Sequence, residues 1–282
     1  VAKLMSVYIE GFRNIPILLW IVMIFALLTE FTPSPRAFKG ADPEASMIFF
    51  QSTAITNRGA YFPSPVWGEG SAYLLIIFAV SLVAIFFFRR YAKKLQEETG
   101  KNLPKFWISL GIFFIPTTLF YFLLGSPVTL EYPYLKGFNF KDGLYVRNSF
   151  IALTLALSLY TSAFIGEIVR SGILAISKGQ TEAASSLGLR PGRIMNLIIL
   201  PQALRVIVPP MISNYLNLTK NSSLAIAVGY MDVRGTLGGI TLNQTGRELE
   251  SMLLLMGFYL CVSLIVSAII NYFNRSFQIK GM

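Results

Sequence analysis

Long apolar segments recur along the chain and are separated by short polar connectors. A membrane-spanning helix needs about 20 mostly apolar residues. Six segments meet or approach that length, at approximately residues 15–28, 72–88, 106–124, 149–168, 203–227 and 252–273. The pattern therefore predicts an all-α fold, a polytopic bundle of about six membrane helices.

Two of these segments are irregular. The first is short, and we expect flanking residues such as Tyr8 and Phe12 to extend it across the membrane. The fifth is interrupted by Pro209-Pro210 and by a polar run over residues 214–223, so we expect a bend in that helix. The sequence begins with Val1 rather than Met. We therefore expect a truncated N-terminus, with at least one further membrane helix upstream.

Composition agrees with a membrane protein, because 54% of the residues are hydrophobic and only 13% are charged. Soluble domains are about a quarter charged. The net charge of +10 does not indicate nucleic-acid binding, since the basic residues cluster at the ends of apolar segments. Such ends are typical of the cytoplasmic side. These basic residues are Lys3, Arg13, Arg89, Arg90, Lys93, Lys94, Lys101, Lys105, Lys178, Arg190, Arg193, Arg275 and Lys280. They predict both ends of the chain inside, residues 30–71 outside, and lipid as the surrounding medium.

Several kinds of chemistry are excluded by the residues present. The chain has no histidine, which removes histidine acid–base catalysis and histidine metal sites. Its single cysteine, Cys261, cannot form an internal disulfide. No Gly-x-x-x-x-Gly-Lys-Ser/Thr phosphate loop occurs, so the chain is not itself an ATPase. We therefore predict no catalytic residue, no metal site and no cofactor in this chain.

The connector after the fourth segment reads as helix, turn, helix. Thr181 is expected to cap the first helix, with Glu182 in its first turn. The small residues that follow bury little surface, so this helix is predicted to be held by a partner. Gly188 supplies a left-handed residue that ends the helix, and Pro191 starts the next one.

This connector resembles the EAA motif of binding-protein-dependent ABC permeases of the type I importer kind. The matching residues are Glu182-Ala183-Ala184, Gly188 and Ile198-Ile199-Leu200-Pro201. The resemblance implies that residues 177–205 form a cytoplasmic coupling loop that docks on a nucleotide-binding subunit. The residues expected to make that contact are Glu182, Ala183, Ala184, Gly188, Leu189 and Arg190. The alternative is an ordinary amphipathic connector.

Further segments resemble one branch of that family. Residues 10–16 (EGFRNIP), 160–170 (YTSAFIGEIVR) and 220–224 (KNSSL) are similar to the polar amino-acid permeases, which import histidine, glutamine, arginine and glutamate. Residues 57–59 (NRG), 238–246 (GGITLNQTG) and the long stretch 30–147 are similar to the general L-amino-acid permeases. The resemblance implies one permease domain over residues 1–282, with an insertion at 30–147 that carries an extra helical hairpin.

Partners and location follow from the same resemblance. It implies two separate nucleotide-binding ATPase subunits, which would bind the ATP and Mg. It also implies a homologous second permease subunit in a heterodimer, and a periplasmic amino-acid-binding protein. The expected location is the bacterial inner (cytoplasmic) membrane.

Polar residues at membrane depth mark candidate substrate contacts, because they are expensive there and usually face a bundle interior. Glu167 and Arg170 lie on one helix face, either as a structural ion pair or as a charged lining of the path. A denser cluster supplies the remaining path candidates, which are Asn214, Asn217, Lys220, Asn221, Ser222 and Ser223. Amide and hydroxyl groups suit a zwitterionic amino acid, although they also serve helix–helix hydrogen bonds. Lys220 alternatively extends to a membrane interface.

A different functional class stays open on the residues alone. A stand-alone secondary transporter or channel needs no docking loop, and it requires an ion-coupling carboxylate within the membrane. Glu167 is the candidate for such a group.

Overall fold

The computed structural model describes residues 2–40 and 43–277, which form two compact units. The first comprises the residues up to 32, residues 56–59 and those from 146 onward; the second comprises 33–55 and 60–145. Lys280 lies outside the described residues, and only the backbone of Arg275 is described. The insertion expected at residues 30–147 stays a prediction.

Helices dominate both units. They are α1 (Ala2–Asn14), α2 (Ile17–Glu30), α3 (Ser71–Thr99), α4 (Lys105–Leu123), α5 (Asn148–Leu174), α6 (Lys178–Ser186), α7 (Pro191–Ile194), α8 (Leu200–Asn221), α9 (Val233–Gly235), α10 (Leu242–Thr245) and α11 (Glu248–Phe277). The strands in the described residues are β1 (Ala54–Thr56), β2 (Gly59–Phe62), β3 (Ser64–Trp67), β4 (Val128–Glu131), β5 (Tyr134–Lys136), β6 (Asn139–Lys141) and β7 (Leu144–Arg147). The remaining turns are the 3-10 turns Pro35–Phe38 and Ser222–Val228 and the π-helical turns Met195–Ile199 and Thr236–Thr241.

Five helical stretches in the described residues are long and apolar enough to cross a membrane. They are Ser71–Thr99, Lys105–Leu123, Asn148–Leu174, Pro191–Val228 and Glu248–Tyr272. The number becomes six if α1 and α2, which meet at a bend of 105°, together make one span.

The N-terminal flank of the first predicted span forms a separate helix, α1, which meets α2 at a sharp bend, so the extension of that span stays a prediction. Pro16 disfavours a helical conformation at the preceding residue, and the chain turns sharply between α1 and α2. Side chains of α1 contact both α5 and α2. The Tyr8 hydroxyl donates to the Leu159 carbonyl at 2.6 Å, and the Phe12 ring stacks on Trp20 with centroids 4.1 Å apart.

The core of the first unit lies where α2, α5 and the 222–228 turn meet. Ile21, Ala156 and Ala225 are fully buried there. The cluster consists of Ile17, Ile21, Leu153, Ala156, Leu157, Ala225 and Val228. The 3-10 turn after α8 is therefore part of the bundle interior.

Helix α8 runs without interruption through Pro209 and Pro210, so the prolines do not break it, and the predicted bend stays a prediction. Each proline removes one backbone donor from the helix. Neighbouring helices stabilise such a site in a bundle, and α5 and α11 both pack along α8. The Asn214 side-chain amide also donates to the Pro210 carbonyl at 3.1 Å.

The second unit combines a helical hairpin, α3 against α4, with short strands that the apolar pattern did not predict. Strands β3 and β4 pair antiparallel, from Ser64 opposite Glu131 to Trp67 opposite Val128, next to the ends of the two helices. A small apolar cluster of Ala54, Tyr61 and Phe140 holds the strand region together. A further sheet has the order β1-β2-β7, and β5 pairs with β6.

Candidate coupling loop and translocation path

The first helix of the predicted coupling loop begins earlier than the sequence suggested. Helix α6 starts at Lys178, after Ser177, so Thr181 lies inside the helix and does not cap it. The Thr181 carbonyl accepts a hydrogen bond from the Ser185 hydroxyl at 2.8 Å. Glu182 consequently sits in the middle of α6 and not in its first turn.

The end of α6 follows the prediction. Gly188 has a φ of +73°, the left-handed conformation that closes a helix. Its N–H donates to the Ser185 carbonyl at 2.9 Å, and the N–H of Leu189 donates to the Ala184 carbonyl at 3.3 Å. Pro191 is the first residue of α7, as expected.

The loop presents small and apolar side chains to its surroundings. Ala184 is buried, whereas Glu182, Ala183, Gly188 and Arg190 are exposed and Leu189 is half-buried. Leu187 is 82% exposed, and the sequence analysis did not single it out. Its position one residue before the helix-ending glycine is the signal that could have found it. A short helix with an exposed leucine at its end suits docking into a groove.

Helices α5 and α8 approach most closely near the loop. A Cβ at Gly172 would overlap the Ile207 side chain and lie 3.6 Å from the Ala203 carbonyl oxygen. Only glycine therefore permits this approach. Further along the same two helices a cleft of about 220 Å³ opens.

The cleft brings together part of the predicted path. Asn214, Asn217 and Asn221 lie on one face of α8, and all three line it. The opposite wall is α5, which contributes Tyr160, Thr161 and Phe164. Leu218 completes the lining, and none of the described residues that line the cleft is charged.

The other path candidates lie elsewhere. Lys220 is exposed and does not line the cleft. The hydroxyls of Ser222 and Ser223 donate to the Thr219 and Lys220 carbonyls at 2.7 Å, within their own turn. Glu167 pairs with Arg170, with oxygen–nitrogen distances of 2.6 and 2.9 Å, and lines a different cleft, of about 460 Å³, between α1 and α5.

Comparison with known proteins decides the family. Residues 98–279 match the family described as "Binding-protein-dependent transport system inner membrane component". The chain belongs to this family. It is therefore a multi-pass transport permease and not an enzyme.

Two relatives match nearly the whole permease. It is 52% identical to the glutamate/glutamine/aspartate/asparagine transport system permease protein BztB of Rhodobacter capsulatus, over 99% of this chain and 71% of that protein. It is 41% identical to the putative amino-acid ABC transporter permease protein YhdX of Escherichia coli, over 98% of this chain and 68% of that protein. A solved structure of an amino acid ABC transporter with histidines covers 72% of the permease and 91% of its own chain, at 20% identity and a TM-score of 0.42. That likeness is too distant to add to the sequence match.

The permease shows no acidic or sulfur-rich metal site in the part of the chain that the structure describes. No group of three or more His, Cys, Asp or Glu side chains comes together there. Tyr160, Thr161 and Phe164 belong to a segment that resembles the family, but their place in the cleft was not predicted. The available signal was the polar Thr161, which lies between two aromatic residues four positions apart on an apolar helix.

Proposed function

We propose that the permease carries L-amino acids across the bacterial inner membrane, as the transmembrane subunit of an ATP-driven importer. Membership of the binding-protein-dependent transport family supports the importer. The amino-acid substrate is supported by the relatives, which are named as amino-acid permeases at 52% and 41% identity. The observation that carries the proposal is the exposed α6 loop, which continues through α7 and a π-helical turn into α8, the helix that lines the polar cleft.

The loop is the proposed contact with a separate ATPase. In the complete importer, two nucleotide-binding subunits would bind ATP and Mg, and each would receive one such loop. A homologous permease subunit would complete a heterodimer, and a periplasmic amino-acid-binding protein would deliver the substrate. Exposed Glu182, Ala183, Gly188 and Arg190, together with Leu187 and half-buried Leu189, form the docking surface on this side.

The α5–α8 cleft is the proposed path. The amide N–H groups of Asn214, Asn217 and Asn221 would donate to a substrate carboxylate, and their amide oxygens would accept from its ammonium group. The Thr161 hydroxyl lies on the opposite wall. Because no charged side chain lines the cleft, it favours neither acidic nor neutral amino acids by charge.

The importer is tested by reconstituting the purified complex in vesicles and measuring uptake of radiolabelled L-glutamate and L-glutamine. Uptake should require ATP and the binding protein. Uptake by the permease alone, driven by an ion gradient without ATP, would instead support a stand-alone secondary transporter. Replacing Asn217 by Ala should reduce uptake while ATP hydrolysis continues.

Coupling is tested at the helix-ending glycine. Gly188→Val places a β-branched residue at a φ of +73°, where left-handed backbone costs about 1–2 kcal/mol. That is a factor of about 5–30 in the population of the correct loop conformation, so uptake per ATP hydrolysed should fall by a similar factor. Gly192→Val is the matched control, because Gly192 is equally uncrowded and has no positive φ. Equal coupling in both variants would contradict the assignment.

A further inference from the structure

The segment between α8 and α11 is irregular yet firmly held. It passes from the 3-10 turn Ser222–Val228 through left-handed Gly229 to the short helix α9 and a π-helical turn. Irregular backbone within a membrane bundle persists only where its polar groups are satisfied. The side chains that hydrogen-bond to this segment therefore help to position the residues next to the turn.

Two side chains hold this segment, Arg234 at Ser223 and Tyr259 at Asp232. The guanidinium of Arg234 donates from Nη1 to the Ser223 carbonyl at 3.2 Å, across eleven residues of sequence. Tyr259, on α11, reaches the same segment at Asp232, whose Oδ2 accepts from its hydroxyl. The Arg234 hydrogen bond is charge-assisted, because its donor is a guanidinium group.

Asp232 connects the Tyr259 side chain to the backbone of α9. Its Oδ1 accepts from the Gly235 N–H at 2.9 Å, as an N-cap of α9, and its Oδ2 accepts from the Tyr259 hydroxyl at 3.4 Å. Gly235 is buried, and a Cβ there would lie 2.9 Å from the Met231 sulfur. The Asp232 side chain thus contacts both the start of α9 and helix α11.

The opposite side of the turn is anchored in the core. Ala225 is fully buried and Val228 is 7% exposed, both in the cluster that includes Ile21 and Leu157. The turn is thus held by apolar packing on one side and by polar contacts on the other. Asn221, the last residue of α8, precedes it directly and lines the cleft.

We propose that Asp232, Arg234 and Tyr259, here named the clamp, are positioning residues that orient the Asn221 amide in the cleft and so set its affinity for an amino acid. This inference rests on the proposed function, because it takes the cleft as the substrate path. None of the three lines the cleft, so they act through the turn and Asn221.

The expected effect follows from one lost hydrogen bond. A typical hydrogen bond contributes about 1 kcal/mol, which corresponds to about a fivefold change in affinity. Tyr259→Phe removes a single hydroxyl, and Arg234→Gln removes the charged donor. Each should weaken binding of L-glutamine by about fivefold, and Arg234→Lys should recover part of the loss because it keeps a cationic donor.

The experiment measures equilibrium binding of radiolabelled L-glutamine and L-glutamate to the complete complex in nanodiscs, without binding protein. Each clamp variant is made alone and together with Asn221→Ala. If the clamp acts through Asn221, adding Tyr259→Phe or Arg234→Gln to Asn221→Ala should not lower the amino-acid affinity further. The effects of the two substitutions are then non-additive. Arg247→Gln is the control, since Arg247 lies in the same connector and is exposed, with a 4.0 Å contact to Glu250 in the next turn.

Three results would overturn the proposal. Wild-type affinity in Tyr259→Phe and Arg234→Gln would show that the clamp does not reach the cleft. Effects that persist in full when Asn221 is Ala would show a general structural role. A wild-type complex that takes up amino acids with ATP but shows no saturable binding would contradict the clamp's role. It would not contradict the proposed importer. Loss of amino-acid uptake itself would instead contradict the proposed function.

Discussion

Gly172 is where a single methyl group should separate two helices of the bundle. Ala at this position would place its Cβ on the Ile207 Cγ1 atom and 3.1 Å from Cδ1. Ile207 is 3% exposed and Ala203 beside it is fully buried, so Ile207 cannot turn aside into open space. The substitution must therefore push α5 and α8 apart or force a strained side-chain conformation.

The magnitude can be worked out against a second glycine of the same helix. Overpacking a well-packed site costs about 1–3 kcal/mol. Replacing Gly by Ala inside a helix also contributes about 1 kcal/mol of favourable helix propensity. Gly166→Ala gains only that contribution, because its Cβ would lie 3.8 Å from the Ile9 side chain, an ordinary contact. The difference between the two variants thus isolates the overpacking.

Thermal unfolding of the purified complex in detergent measures that difference. A change of 1 kcal/mol moves the Tm by roughly 2–4 °C for chains of about 150–250 residues. The Tm of Gly172→Ala should accordingly lie several degrees below that of Gly166→Ala. Adding Ile207→Ala should restore room, so the double variant should be more stable than the two separate losses predict. Equal Tm values for the two glycine variants would refute the close-contact reasoning.

Two further predictions concern the segments that flank the helices. Asn148→Ala should destabilise the permease by about 1–3 kcal/mol, since the buried Asn148 amide donates to the Thr56 carbonyl at 3.1 Å; an unchanged Tm would contradict this. Gly143→Ala should make the strand region of the second unit more sensitive to limited proteolysis, because the new Cβ would overlap the Phe62 carbonyl oxygen. Gly137→Ala has a similar positive φ without that overlap, and it should be the more resistant of the two.

Features set by residues close in sequence could be predicted. The spans predicted at residues 72–88, 106–124, 149–168 and 252–273 correspond to α3, α4, α5 and α11. An apolar run of membrane length has few other stable arrangements than a helix. The end of α6 was equally predictable, since a left-handed glycine and a helix-starting proline act within one turn. Gly188 and Pro191 took those roles.

Features that depend on neighbours in space were missed. The start of α6 was missed for a local reason, since Ser177 is also a favoured N-cap residue and the helix begins directly after it. Pro209 and Pro210 predicted an interruption, but α8 continues through both of them, with α5 and α11 packed along it. The Asp232–Tyr259 contact joins residues 27 apart in sequence, and nothing in either local pattern indicates it.

The close contact at Gly172 also has a mechanical consequence. The run Pro191–Val228 connects the coupling loop to the cleft, and it crosses α5 tightly at Ile207. At 1.5 Å per residue, Pro191 lies roughly 24 Å to one side of this crossing and Asn217 roughly 15 Å to the other. If the run pivoted there as a rigid rod, a displacement at the loop would reach the cleft reversed in direction and reduced to about two thirds. In the proposed importer, a large movement of the predicted coupling loop would thereby become a smaller movement of the three asparagines.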